Sequence, residues 1–266
     1  MSRLKGIFSQ TRAQDSKAFI PFITAGDSGL DNTLELMKTL VASGADVIEL
    51  GVPFSDPMAD GPVIAKSHER AVADGVSLSD VLALVARFRQ ANNDTAIVLM
   101  GYLNPIEVYG YERFAVDAKA AGVDGVLVVD MPPEEAHDLK QCLDQHEIDF
   151  IFLVAPTTTD ERLAFLAKIA SGFVYFVSLK GVTGSGNLDV DLVNDNLRHI
   201  RQYIELPVGV GFGIKDAKSA KAVSELADAV IVGSSLVSFI EQYSENRDKM
   251  MANVANLSSE IAQAIK

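Results

Sequence analysis

An ionisable side chain inside an apolar run is the first place to look for chemistry, and here it is Glu49, within Asp46-Val-Ile-Glu-Leu-Gly51. A carboxylate buried there without a partner is costly, or takes up a proton as its pKa rises. Regular strand alternation sets Val47 and Glu49 on one face and Ile48 and Leu50 on the other. Asp60 follows on the loop Gly51-Val-Pro-Phe-Ser-Asp-Pro-Met-Ala-Asp-Gly-Pro62, which could fold back over Glu49. Two carboxylates in unlike surroundings could divide proton-transfer work, the more buried one with the higher pKa. Structural readings stand beside these: Glu49 as an acid paired with an arginine, and Asp60-Gly61 as an ordinary turn pair.

Glycine turns supply the second signal. Gly209-Val-Gly-Phe-Gly213 and Gly233-Ser234 each lie between an apolar run and a helical pattern, where main-chain N–H groups could hold a phosphate. Gly184, in the stretch Gly181-Val-Thr-Gly-Ser-Gly186, could close the same pocket, and that stretch has the composition of a mobile lid. Nucleotide motifs fail on inspection. Gly181 to Gly186 opens like a P-loop, but Asn187-Leu188 replaces the required Lys-[Ser/Thr], and Ile214 stands where a dinucleotide fingerprint needs its last glycine. No strand core offers a lysine for a Schiff base, Lys180 falling in a loop. His68, His137, His146 and His199 all fall in helical segments, where surface or helix-cap roles are expected rather than metal ligation. What remains is acid–base chemistry on a phosphorylated substrate.

The elements that must position these groups are short apolar runs: Ala18 to Ile23, Asp46 to Leu50, Ala96 to Met100, Gly125 to Val129, Asp149 to Val154, Phe173 to Val177, Pro207 to Val210 and Asp228 to Val232. Each precedes a turn and a helical pattern. The first such helix shows Leu30, Leu34, Met37 and Val41 at helical spacing and stops at Gly44, as another stops at Gly122. Three helix-to-strand junctions echo one another: Ser43-Gly-Ala-Asp-Val-Ile-Glu, Ala121-Gly-Val-Asp-Gly-Val-Leu and Leu226-Ala-Asp-Ala-Val-Ile-Val. Eight repeated βα units predict a (β/α)8 TIM barrel with extra N-terminal and loop helices, in one domain over residues 1–266. A doubly wound open sheet is the runner-up. The glycine turns follow the seventh and eighth strands, a common phosphate position in such barrels, and the longest insertions follow the second and sixth.

A net charge of −13, from 36 acidic against 23 basic residues, argues against nucleic acid or an anionic membrane as partner. No apolar stretch approaches the ~20 residues of a membrane span. The single cysteine, Cys142, makes no internal disulfide, so a reducing cytoplasm is expected, and the glycosylation patterns at Asn93 and Asn256 are read as chance.

Several segments carry a family resemblance. Phe19-Ile-Pro-Phe-Ile-Thr-Ala-Gly-Asp27, the long run from Glu49 to Pro62, Met100-Gly-Tyr-Leu-Asn-Pro105, Asp130-Met-Pro-Pro-Glu-Glu135, Gly181-Val-Thr-Gly184, Gly211-Phe-Gly213 and Gly233-Ser234 resemble the tryptophan synthase α subunit family over essentially the whole chain. The run from Glu49 is highly specific. The resemblance implies aldol cleavage of indole-3-glycerol phosphate to indole and glyceraldehyde 3-phosphate, with Glu49 and Asp60 catalytic and Tyr175 beside the glutamate. It implies Gly184, Gly213, Gly233 and Ser234 for phosphate, Phe22, Met100, Leu127, Leu153 and Phe212 for the indole, and Gly181 and Thr183 in the lid. In one departure, Leu179 stands where many members have arginine. The resemblance further implies no cofactor in this chain, pyridoxal phosphate on a partner β subunit, and an α2β2 heterotetramer docking through Pro53, Asp56 and Asn104. Two other functions are weighed: a different phosphosugar barrel enzyme with Glu49 as base, and a subunit that mainly activates its β partner.

Overall fold

The computed structural model describes residues 2–177, 190–211 and 213–266. Its strands are β1 (Ala18–Thr24), β2 (Val47–Gly51), β3 (Ala96–Gly101), β4 (Gly125–Val128), β5 (Asp149–Val154), β6 (Val174–Val177), β7 (Val208–Gly211) and β8 (Ala229–Val232). All pair in parallel with their chain neighbours, and β8 pairs with β1 to close the barrel. The expected (β/α)8 fold is therefore present, each strand lying within about one residue of its expected bounds, the accuracy to which such ends are defined.

Twelve α-helices among the described residues surround or cap the barrel. They are α1 (Arg3–Ala13), α2 (Leu30–Ala42), α3 (Pro62–Ala73), α4 (Leu78–Arg89), α5 (Leu103–Tyr109), α6 (Tyr111–Ala121), α7 (His137–Gln145), α8 (Asp160–Ile169), α9 (Val190–Ile200), α10 (Ala217–Ser224), α11 (Ser234–Gln242) and α12 (Arg247–Ile265). The extra elements foreseen are α1 and the additional helix between β2 and β3. None of these helices is long and apolar enough to cross a membrane.

Two apolar layers follow from strand alternation. Ile48, Leu50, Ile97, Leu99, Val126 and Val128 face outward into the layer under the helices. Val47, Val98, Leu127, Ile151, Tyr175 and Ile231 fill the interior, where Leu4 and Phe8 of α1 join them and plug the end at which the strands begin. Phe8 meets Phe173 with ring centroids 5.7 Å apart.

The echoing junctions have a common physical purpose. In each, the aspartate before a strand accepts the main-chain N–H of a residue on the preceding strand: Asp46 from Phe19 at 2.8 Å, Asp124 from Ile97 at 2.9 Å and Asp228 from Val208 at 2.9 Å. A carboxylate caps an otherwise orphaned donor and sets the register of adjacent strands. The helix stops also hold: Gly44 and Gly122 take φ of +100° and +94°. The stripe foreseen for α2 is rotated, however. Thr33, Leu36, Met37 and Leu40 are its buried residues, while Leu30, Leu34 and Val41 are only partly covered, because α4 and α12 as well as the sheet pack against this helix.

Candidate active site

Glu49 shares its strand face with Val47 and so points into the barrel near the C-terminal end of β2. It is 1% exposed, and its Oε1 has no hydrogen-bond partner among the described residues. Burial, reinforced by the nearby Asp60 charge, lifts its pKa from 4.5 to about 8. The arginine partner of the structural reading is not found among the described residues. Glu49 therefore holds a proton at neutral pH, as a general acid must.

Asp60 reaches this point because its loop turns back over the mouth. Pro62 opens α3 directly after it, its fixed φ suiting the first helical position. The rest of α3 is tied to its neighbours. Arg70 forks onto Asp27 in the β1 loop at 2.7 and 3.0 Å and reaches Glu241 of α11 at 3.1 Å, while Ser67 meets Thr24 of β1 at 2.6 Å. Burial raises Asp60 to about 6 against the opposing effect of a hydrogen bond from Tyr102, whose hydroxyl donates to Oδ2 at 2.8 Å. The two carboxylates thus titrate apart, with Asp60 ionised while Glu49 is still protonated.

Tyr175 stands on the interior face of β6, where burial first, then the charges of Glu49 and Asp60, push its phenol well above the ordinary range. Its ring needs the glycine on the neighbouring strand, since a Cβ on Gly211 would lie 2.2 Å from the Tyr175 hydroxyl. Phe22 spans the other side. A Cβ on Gly51 would come within 2.7 Å of its Cζ, and one on Gly233 within 3.3 Å of its Cδ1, so this ring separates the strand that carries Glu49 from the turn that opens α11. Closure of the barrel through β8, β1 and β2 is what makes these residues neighbours. Leu127 is buried and Met100 and Leu153 are half-buried, all three in the interior layer on β4, β3 and β5.

Gly233 precedes α11 with no side-chain cap, Ser234 is exposed at the first helical position, and Gly213 is exposed with φ of +75°. An uncapped helix start facing the barrel mouth presents free N–H groups and a positive dipole end. Phe212, Gly181, Thr183 and Gly184 lie outside the described residues, as do Leu179 and Lys180. Asp56 and Asn104 are exposed, whereas Pro53 is buried and offers no surface of its own.

One expectation is corrected outright. His68 is not a surface or cap residue but is 2% exposed, with Nε2 3.6 Å from Asp60 Oδ2. It faces inward because the contacts of Arg70 and Ser67 fix the rotation of α3. His137 is exposed, and His146 and His199 are half-buried beside Glu112 and Asp160. Tyr102 was the other omission. It lies in a segment that carried the resemblance, but a tyrosine after an apolar strand gives no sign of its hydrogen bonds. A separate cavity of about 80 Å³, lined by Phe8, Asp15 and Pro207 among others, lies at the opposite end, away from both carboxylates.

A parallel barrel with a protonated acid and an ionised one at its mouth, beside an uncapped helix start, defines a (β/α)8 enzyme that works by proton transfer on an anionic substrate. Comparison with known proteins gives the family. Residues 8–266 match the model of the tryptophan synthase alpha chain. The chain is 71% identical over 266 residues to the tryptophan synthase alpha chain of Ruthia magnifica subsp. Calyptogena magnifica, covering 100% of both chains. Against that of Thioalkalivibrio sulfidiphilus it is 54% identical over 265 residues, again covering 100% of each. The crystal structure of tryptophan synthase subunit alpha from Legionella pneumophila str. Paris superposes with a TM-score of 0.92 at 42% identity, covering 100% of this chain and 98% of that one. The chain belongs to the tryptophan synthase alpha chain family, lyases of tryptophan biosynthesis.

Proposed function

We infer that Glu49 and Asp60 carry out this family's reaction, the cleavage of indole-3-glycerol phosphate to indole and glyceraldehyde 3-phosphate, with residues 1–266 acting as one catalytic domain. The observation that carries the reading is a fully buried glutamate, its Oε1 without a hydrogen bond from the described residues, holding its proton beside a second carboxylate that has lost its own. Indole is a poor carbanion leaving group, so C3 must be protonated before the side chain departs. Glu49 gives its proton to C3, and the Asp60 carboxylate holds the ring N–H and stabilises the positive indolenine. The Glu49 carboxylate then takes the proton of the adjacent side-chain hydroxyl. The C–C bond breaks, its electrons restore the indole ring, the hydroxyl carbon becomes the aldehyde, and Glu49 is again protonated.

Tyr175 borders the reacting centre, and Phe22, Met100, Leu127, Leu153 and Phe212 form the apolar slot for the ring. Gly213, Gly233, Ser234 and Gly184 hold the phosphate, supported by the uncapped start of α11, and Gly181 and Thr183 belong to the lid. A phosphosugar isomerase would need no slot for an indole. A subunit that only activated its partner would have no use for the costly burial of Glu49.

The protein works with a tryptophan synthase β subunit. The proposed assembly is an α2β2 heterotetramer in the cytoplasm, with pyridoxal phosphate on the β subunit and no cofactor in this chain. Two large apolar side chains support docking through the loops after β2 and β3: Met58 is 80% and Val108 81% exposed, close in sequence to Asp56 and Asn104. Exposed apolar groups of this size suit a partner surface. The deciding experiment is indole release from indole-3-glycerol phosphate by the isolated chain, compared with Glu49→Gln. Equal rates would remove Glu49 from the chemistry.

A further inference from the structure

Asp60 is a loop residue, yet two rings from different elements meet its carboxylate, one hydrogen-bonded to it and the other 3.6 Å away. Tyr102 comes from the end of β3 and His68 from α3, and the loop's own main chain sets the direction of both. His68 Nδ1 accepts the N–H of Phe54 at 3.1 Å. A ring nitrogen that accepts carries no proton, so the proton of the neutral imidazole is on Nε2. Nε2 is the atom 3.6 Å from Asp60 Oδ2, a small shift from a hydrogen bond. Tyr102 repeats the logic. Its oxygen accepts the N–H of Ala59 at 3.0 Å, which leaves its hydrogen for Oδ2 at 2.8 Å.

The rings also brace each other. Phe54 stacks on Tyr102 with centroids 4.9 Å apart, and His68 meets Tyr102 edge-on at 6.3 Å. Among the described residues both donors approach Oδ2 and no hydrogen bond reaches Oδ1. Both donors are neutral, because burial draws His68 down to about 4 and drives the Tyr102 phenol up. An arginine or lysine in their place would orient Asp60 equally well but cancel the negative charge that a cationic intermediate needs.

We propose that His68, as its Nε2–H tautomer, is a positioning residue for Asp60, working with Tyr102 to fix the carboxylate through Oδ2 without neutralising it. The proposal rests on the role given to Asp60 above. His68→Phe keeps a ring of similar size but removes both nitrogens, and is expected to lower kcat for indole release ~10-fold, about what losing one hydrogen bond to a charged group costs. His68→Gln returns an amide N–H near the Nε2 position and is expected to recover activity to within ~3-fold of the native chain, because a single neutral donor is restored.

In an Asp60→Asn background, His68→Phe is expected to cost nothing further, since residues acting through one another are not additive. Nitrogen-15 NMR of the full chain near neutral pH reads the tautomer without any substitution, and a protonated Nδ1 would overturn the proposal. So would full activity in His68→Phe, failure of glutamine to rescue a folded variant, or an equal loss in both backgrounds. Should Asp60→Asn itself be fully active, the catalytic reading fails. An impaired Asp60→Asn with an indifferent His68→Phe sinks only the positioning role.

Discussion

The two ends of this barrel each bury a carboxylate and treat it in opposite ways. At the closed end Asp124, with a side chain 3% exposed, accepts the main-chain N–H of Arg3 at 3.1 Å, the Arg3 guanidinium at 3.0 Å, the Arg89 guanidinium at 2.9 Å and the N–H of Ile97 at 2.9 Å. At the open end Glu49, 1% exposed, has an Oε1 that accepts nothing from the described residues. The first arrangement meets the desolvation of a charge with hydrogen bonds and opposite charge, and it pins the plug helix α1 to β3 and β4. The second leaves that cost standing, and the side chain answers by keeping its proton. Burial alone does not single out a candidate acid; what singles out Glu49 is burial with no hydrogen bond to Oε1 from the described residues.

The contrast breaks most visibly at Glu49. Glu49→Gln preserves shape and removes the transferable proton, so indole release should fall by ~10³-fold or more, within the range for loss of a general acid. The same variant should be the more stable protein in mild alkali. Unfolded, Glu49 gives up its proton near 4.5; folded, it holds it to about 8, so between those values the unfolded chain binds fewer protons and the fold loses stability as pH rises. Glutamine escapes that loss, and denaturant melts near pH 8 should show a gain on the order of a few kcal/mol. A less stable Glu49→Gln would mean that the acid is paired after all.

Asp124→Asn should do the reverse. It leaves Arg89 buried with its counter-charge gone and should cost ~3–5 kcal/mol of stability, while the variant that remains folded at low temperature retains its turnover number. A pH profile sharpens the comparison further: kcat/KM of the isolated chain should form a bell, rising as Asp60 ionises near about 6 and falling as Glu49 ionises near about 8. In Asp60→Asn the acid limb should vanish and the residual rate fall by ~100-fold. The smallest effect belongs to the third kind of acid, the half-exposed strand staple. Asp46→Ala gives up the hydrogen bond from Phe19 and a surface contact with Lys266, and should lower stability by ~1–2 kcal/mol with kcat unchanged.

Much of this was legible in the chain. β-Branched runs of strand length, each followed by a helical pattern and two of those helices stopping at Gly44 and Gly122, define the repeat, and period-two alternation puts Glu49 inside once the strand is recognised. The echoing junctions were visible as a pattern, although the strand-stapling role of Asp46, Asp124 and Asp228 was not. His68 was misjudged because helical periodicity reports which residues share a face, not what that face is turned toward. For α3 that is settled by Arg70 on Asp27 and Glu241 and by Ser67 on Thr24, partners far away in sequence. The α2 stripe was misplaced for the same reason, its covered side set by α4 and α12 as well as the sheet. Pro53 reads as a loop proline and turns out buried, because its loop folds back against the barrel.

Local order therefore determined the units: eight strands, their caps and stops, the inward side of β2, and an acid where an apolar residue would be expected. Tertiary structure decided how those units meet. Only barrel closure brings β8 against β1 and sets the ring of Phe22 between Gly51 and Gly233, and only the docking of α3 aims His68 at Asp60. The physical reason is one of range. Propensity and periodicity act over a few neighbouring residues, whereas the pKa values that separate Glu49 from Asp60 arise from desolvation by side chains from all round the barrel, which no stretch of sequence contains.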